Sequence, residues 1–214
     1  MKNLIYLLVL ITACNQPKKD TPGTGVPAKS DNPAKTEMTD KRTLKSVADI
    51  KAVYNATIQK LNNKVLDSIT LSYNCQQERS GKITYYTEQG NLKLIKHAYA
   101  EYDHHDAVDQ YFVQDSLLFF VYQKRLSWNF VSAGVEGATE DKITESRFYL
   151  VGDKPIRCLE KKYTISSVSN KKVVPDEVPN RTIACNTAST QLKTFKNLVK
   201  FKSSKNTACF ETKD

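Results

Sequence analysis

The sequence is short of the residues that usually carry an enzyme's chemistry. Its 214 residues include three histidines, seven glycines, two methionines and one tryptophan. It contains no His-Glu-x-x-His or Cys-x-x-Cys pair, so the commonest short zinc signatures are missing. A Gly-x-Ser-x-Gly elbow is also missing, and with it the hydrolase nucleophile of that type. No glycine-rich stretch offers backbone amides to a phosphate. No apolar run reaches the ~20 residues that a membrane-crossing helix needs.

What is present points to an ordinary core. Hydrophobic residues make up 40% of the chain and charged residues 26%, and eleven tyrosines beside few glycines suit a sheet better than a loop scaffold. The formal charge is +9. Such a balance favours acidic surfaces by long-range attraction. No nucleic-acid recognition motif accompanies it, so the excess reads as a solvated basic surface and no nucleic-acid partner is expected.

The N-terminus, "MKNLIYLLVLITACNQ", has Lys2, an apolar run from Leu4 to Ile11, then Thr12-Ala13-Cys14. Charged start, short apolar core and small residues are the layout of a secretory signal. Ile11-Thr12-Ala13-Cys14 resembles the lipobox of bacterial lipoproteins. That resemblance implies cleavage before Cys14, a diacylglyceryl thioether on its sulfur and acylation of its amine. Two or three acyl chains hold a protein to a membrane far more firmly than one. The expected location is the bacterial cell envelope, with the outer membrane favoured. Residues 15–42 hold four of the seven prolines and almost no large apolar side chain, so they read as a tether. The expected organisation is a signal peptide over 1–13, lipidated Cys14 and tether over 14–43, and one α+β domain over 44–214.

Export makes the remaining cysteines readable as a framework. Cys75, Cys158, Cys185 and Cys209 allow two disulfides. Cys185 and Cys209 flank a helix of about 15 residues, which carries the chain over 20 Å at 1.5 Å per residue, so joining them would need the tail to fold straight back. Two connectivities remain. One joins Cys75 to Cys185 and Cys158 to Cys209; the other, preferred, joins Cys75 to Cys209 and Cys158 to Cys185.

Within the domain, Ser46 and Asp49 have capping-box spacing, and Val47, Ile50, Tyr54, Ile58, Leu61 and Val65 recur at the steps of an amphipathic helix. From Asp67 the period changes to two, with Ile69, Leu71, Tyr73 and Cys75 on one face. "TYYTEQGNLKLI", "QYFVQDSLLFF" and "RFYLVGDKPIRC" each run aromatic pair, polar turn, apolar strand, a weak repeat that predicts an antiparallel β-meander. Leu117–Tyr122 is apolar on both faces and belongs at the sheet's centre. Pro155 opens the last predicted strand, "SSVSNKKVVPDEVPNRT" reads as a long surface loop, and Ala188–Lys202 predicts a second amphipathic helix. The fold class is therefore α+β, a meander with an N-terminal and a C-terminal helix. "SGKITYYTEQGNLKLI", "DHHDAVDQYFVQDSLLFFVYQKRLSWNF" and "ITESRFYLVGDKPIRCLEKKYT" together resemble uncharacterised secreted proteins and lipoproteins of Bacteroidota over residues 66–165. The resemblance implies an envelope location and carries over no catalytic residue.

The candidate chemistry centres on Asp103, His104, His105 and Asp106. Adjacent histidines point opposite ways on an extended chain, and His97 lies about 23 Å from His104 if a strand joins them. Two protein ligands make a poor zinc site. Glu136, Glu140, Asp141 and Glu145 read as solvated acids of a polar loop, as do Asp176 and Glu177. Tyr122, Lys124, Arg125, Trp128 and Phe130 could line a glycan or peptide groove, but core and edge-strand packing explains most of that stretch. No catalytic residue and no cofactor is assigned. The preferred function is a non-enzymatic binding or structural module, held to the membrane through Cys14, with an envelope protein or glycan as partner. The alternative is a small metal-dependent hydrolase using the His104/His105 turn. An inhibitor presenting Ser132–Asp141 is a third reading.

Overall fold

Capping and periodicity set the first element. The Ser46 hydroxyl accepts from the Asp49 backbone N–H while the Asp49 carboxylate accepts from the Ser46 N–H, closing a capping box that opens helix α1 (Val47–Asn62). A computed structural model describes residues 43–132, 135–204 and 208–210. The signal, lipidation and tether expectations, Cys14 included, lie outside the described residues.

The chain then runs through β1 (Asp67–Cys75), β2 (Arg79–Glu88), β3 (Asn91–Glu101), β4 (His105–Gln114), β5 (Leu117–Phe130), β6 (Thr139–Val151) and β7 (Lys154–Ser166). A 3-10 turn at Pro175–Glu177 and the short β8 (Arg181–Thr182) precede helix α2 (Ala188–Phe201). The strands form one antiparallel sheet in chain order, β1 to β8, so the protein is an α+β meander with two helices.

Three hairpins share one construction. Gln89–Gly90, Asp115–Ser116 and Gly152–Asp153 each place two successive residues at positive φ, as the tight primed turns of twisted hairpins require. Near each turn the second strand carries one extra residue, Lys93, Phe119 or Ile156, where the register shifts. At β5 this bulge turns both Phe119 and Phe120 toward α1. The repeated aromatic–turn–apolar wording of the sequence is thus a repeated bulged hairpin.

Each face of the sheet carries a buried cluster. On one, α1 packs Ile50, Tyr54 and Ile58 against Leu94, Phe112, Phe120 and Tyr149. On the other, α2 packs Phe195, Leu198 and Phe201 against Tyr85, Ile95, Tyr111, Val121 and Phe148. Leu118–Val121 is buried on both sides, as its unbroken apolar run requires. The disulfides are Cys75–Cys209 and Cys158–Cys185, and both lie on the α2 side. The first brings Phe210 onto Tyr73, His97 and Phe201.

Several details differ from the sequence reading. Ile69 is 57% exposed on β1, an edge strand; Val65 lies beyond α1 and is also exposed. Pro155 is in β7, and the last strand is the two-residue β8, which pairs with Leu159 and Glu160 inside the segment expected to be loop. The polar run after Thr139 is strand, not loop, since Ile143, Glu145, Arg147 and Tyr149 alternate into one face.

Candidate functional site

That correction locates the candidate site. Strand β6 turns Glu145, Arg147 and Tyr149 to the α1 side, where β4 adds Gln110 and β5 adds Phe120 and Tyr122. Helix α1 forms one wall with Lys51, Tyr54 and Asn55, and Asp176 of the 3-10 turn lies at the other. Together they enclose a cleft of about 480 Å³. Capping fixes where α1 begins, and the Lys60–Glu88 ion pair ties its last turn to β2 at 2.6 Å. The opposite wall is held by Lys161, whose buried ammonium donates to the Pro175 carbonyl at 2.7 Å.

Glu145 organises the cleft floor. It is 4% exposed and ringed by donors. Arg147 Nη2 donates to Oε2 at 2.8 Å, Tyr163 donates to Oε1 at 3.0 Å, and Lys161 Nζ lies 3.3 Å from Oε2. Tyr122 also hydrogen-bonds the carboxylate. Burial pushes its pKa up, but the hydrogen bonds from Arg147, Tyr163 and Tyr122 and the Lys161 charge outweigh it, holding Glu145 below the ordinary carboxylate range. The same carboxylate, after burial, pushes the Tyr163 phenol up to about 12. Arg147 is fixed further by Asn180 Oδ1 at 2.9 Å and by the Tyr122 ring, 5.0 Å from its guanidinium carbon. The result is a floor of locked side chains in which one carboxylate is set against a guanidinium and an ammonium.

The sealed face holds a second polar group. On β3, β4 and β5, His97, Asp109 and Gln123 share one register row beneath α2. Gln123 Nε2 donates to Gln191 Oε1 at 2.9 Å, and His97 Nε2 shares a 2.8 Å hydrogen bond with the Tyr73 hydroxyl. Burial, helped by the Arg79 charge, lowers the His97 pKa to about 3, so its ring is neutral. Burial raises the Asp109 pKa, only partly countered by Arg125 at 3.6 Å and by Gln123. Asp109 Oδ1 is buried with no hydrogen-bond partner among the described residues. Here the polar groups specify how α2 seats.

The histidine turn does not assemble. Tyr102–His104 is the turn between β3 and β4, and His105 opens β4. The His104 ring packs on Trp128 at 4.0 Å, and its Nδ1 lies 3.2 Å from the Trp128 carbonyl. His105 pairs with Glu101 and Ser127, whereas Asp106 pairs with Ala100 and Leu126, so successive side chains point to opposite faces. Asp103 is exposed in the turn. Among the described residues no three His, Cys, Asp or Glu side chains are grouped to hold a metal ion. His97 lies on the sealed face with Tyr73, and all four described cysteines are disulfide-bonded.

Of the residues weighed as a groove lining, Tyr122 reaches the cleft and Lys124 stands two residues along the same face. Arg125 turns to Asp109, and Trp128 and Phe130 contact each other at the far end of β5. Glu145 was hidden by its polar neighbours, yet the 143-145-147-149 alternation in "KITESRFYL" marks its face. Fold and site together define an open antiparallel meander with one helix-sealed face and one cleft-bearing face. No protein-family model, curated protein or solved structure matches the chain.

Proposed function

We propose that this chain is a lipid-anchored protein of the bacterial envelope, the outer membrane favoured, whose α1-side cleft binds an envelope component without transforming it. The binding reading rests on the state of Glu145. A carboxylate engaged by Arg147, Lys161 and two phenols, and held below the usual carboxylate range, is a weak general base near neutral pH. Its role is to hold Arg147 and Tyr122 in place. Preset side chains reduce the ordering cost of binding. The anchor reading rests on Lys2, the short apolar run and Ile11-Thr12-Ala13-Cys14.

Two experiments test the parts separately. Labelled palmitate should enter the wild-type chain and be lost in Cys14→Ser, which should move to the soluble fraction; unchanged membrane recovery would refute the anchor. For the cleft, a photo-reactive phenylalanine analogue replaces Asn55 in the full chain, and a second variant carries it at Lys193 on α2. Irradiation of intact envelopes should give a discrete adduct at position 55 and none at 193. Equal adducts at both sites, or none at either, would count against the cleft.

A further inference from the structure

We propose that the cleft takes an acidic oligosaccharide, a chain of carboxylate-bearing sugars, that runs from the tyrosines of the cleft onto a lysine-bearing strip of the open sheet. This rests on the binding reading above and adds the ligand's chemistry. The strip is set by register. On the α1 side, Thr84, Lys96, Gln110 and Tyr122 form one cross-strand row, and Lys82, Ala98, Val108 and Lys124 form the next. Gln110 and Tyr122 line the cleft; Lys96 is the register partner of Gln110, Lys124 that of Glu145, and Lys51 lines the α1 wall. Lys96 and Tyr122 are two strands apart, about 10 Å between backbones. That is the reach of a sugar unit or two.

Charge and surface select the ligand. Lys51, Lys82, Lys96 and Lys124 are all exposed, and among the described residues none has a carboxylate within 4.0 Å. The acid at the centre, Glu145, is already matched by Arg147 and Lys161. Asp106 stands one row beyond Val108 and Lys124, and Asp176 lies at the wall opposite α1. The strip, four lysines with Asp106 and Asp176 nearby, therefore presents net positive charge beside half-buried aromatic rings. Tyr54 and Tyr122 line the cleft with half-buried aromatic surface for a sugar, and Asn55 and Gln110 add amides for its hydroxyls. A flat lipid surface could meet the outer lysines but would leave the concave tyrosine floor unused. A nucleic acid would meet the lysines equally but would not require the amides.

The test uses the full chain titrated at low salt with a galacturonate hexamer, a neutral glucose hexamer, vesicles containing phosphatidylglycerol and a single-stranded oligothymidylate. The galacturonate hexamer should bind at least tenfold more tightly than the neutral one. Lys96→Glu/Lys124→Glu should weaken it at least tenfold, and Lys193→Glu/Lys196→Glu, with the same charge change on the outer face of α2, less than twofold. Equal losses in the two double variants would mean unspecific attraction and overturn the proposal. So would tighter binding of the vesicles or of the oligothymidylate, if that binding depended on Lys96 and Lys124. An adduct at position 55 in intact envelopes with no galacturonate binding would overturn the acidic-sugar inference while leaving the cleft reading intact.

Discussion

Among the described residues, the two faces of this sheet bury one carboxylate each and treat it in opposite ways. On the α1 side, Glu145 has lost water but gained a guanidinium, an ammonium and two phenols, and it is held ionised. On the α2 side, Asp109 has one partnered oxygen and, among the described residues, one orphan, and burial raises its pKa. Desolvation acts on both; the number of donors decides the outcome. The donor-rich acid sits on the open face, where fixed side chains line a cleft. The donor-poor acid sits on the sealed face, where both disulfides and Phe210 already secure the packing.

The largest effects should come from unlocking the sealed face. Cys75 and Cys209 are 134 residues apart, so Cys75→Ser/Cys209→Ser should cost about 5 kcal/mol by loop entropy. For Cys158 and Cys185, 27 apart, the same change should cost roughly 3.5 kcal/mol. Denaturant melts of the two double variants check the order, and a reversed order would show that tail packing does not depend on the longer loop. Next comes the contrast between the acids. Glu145→Gln leaves buried Lys161 and Arg147 under-matched and should cost roughly 3 kcal/mol. Asp109→Asn removes an imperfectly paired charge and should fall within about 1 kcal/mol of wild type. Equal losses would dissolve the distinction between the faces.

The pH dependence should divide the same way. His97 is neutral in the fold to about pH 3, whereas the unfolded chain takes up its proton near 6.5. Its stabilising contribution is present above that value and is lost as pH falls toward 3. Glu145, with a depressed pKa, likewise contributes above the ordinary carboxylate range and loses that contribution on acidification. Asp109, with a raised pKa, acts oppositely and costs stability as pH rises from its ordinary value through its folded one. Melts of His97→Gln between pH 6.5 and 4 should show a shallower fall than wild type; an unchanged slope would contradict a neutral His97. A smaller effect belongs to Ser46→Ala, about 1 kcal/mol from the lost cap of the α1 wall.

The sequence showed the architecture better than the site. Helix periodicity from Val47, the three polar turns and the doubly apolar Leu117–Tyr122 each reflect local chemistry, and the sheet follows them. The cysteine pairing was narrowed by helix length, a local property, and the observed pair is the preferred one of the two left open. Glu145 was illegible for the opposite reason. Its donors come from β5, β6 and β7, and only strand pairing brings Tyr122, Arg147, Lys161 and Tyr163 around it. The His104–His105 pair failed in reverse, being adjacent in sequence but turned apart by the strand.

The most direct test of the open face is hydroxyl-radical footprinting of the full chain, purified and in intact envelopes. Tyr54 and Tyr122 should label in the purified chain and be shielded in the envelope. Tyr102, 73% exposed in the histidine turn, should label in both, and buried Tyr85 and Tyr111 in neither. Equal labelling of Tyr54 and Tyr122 in the two states, or envelope shielding confined to Tyr102, would contradict the assignment of the cleft as the binding face.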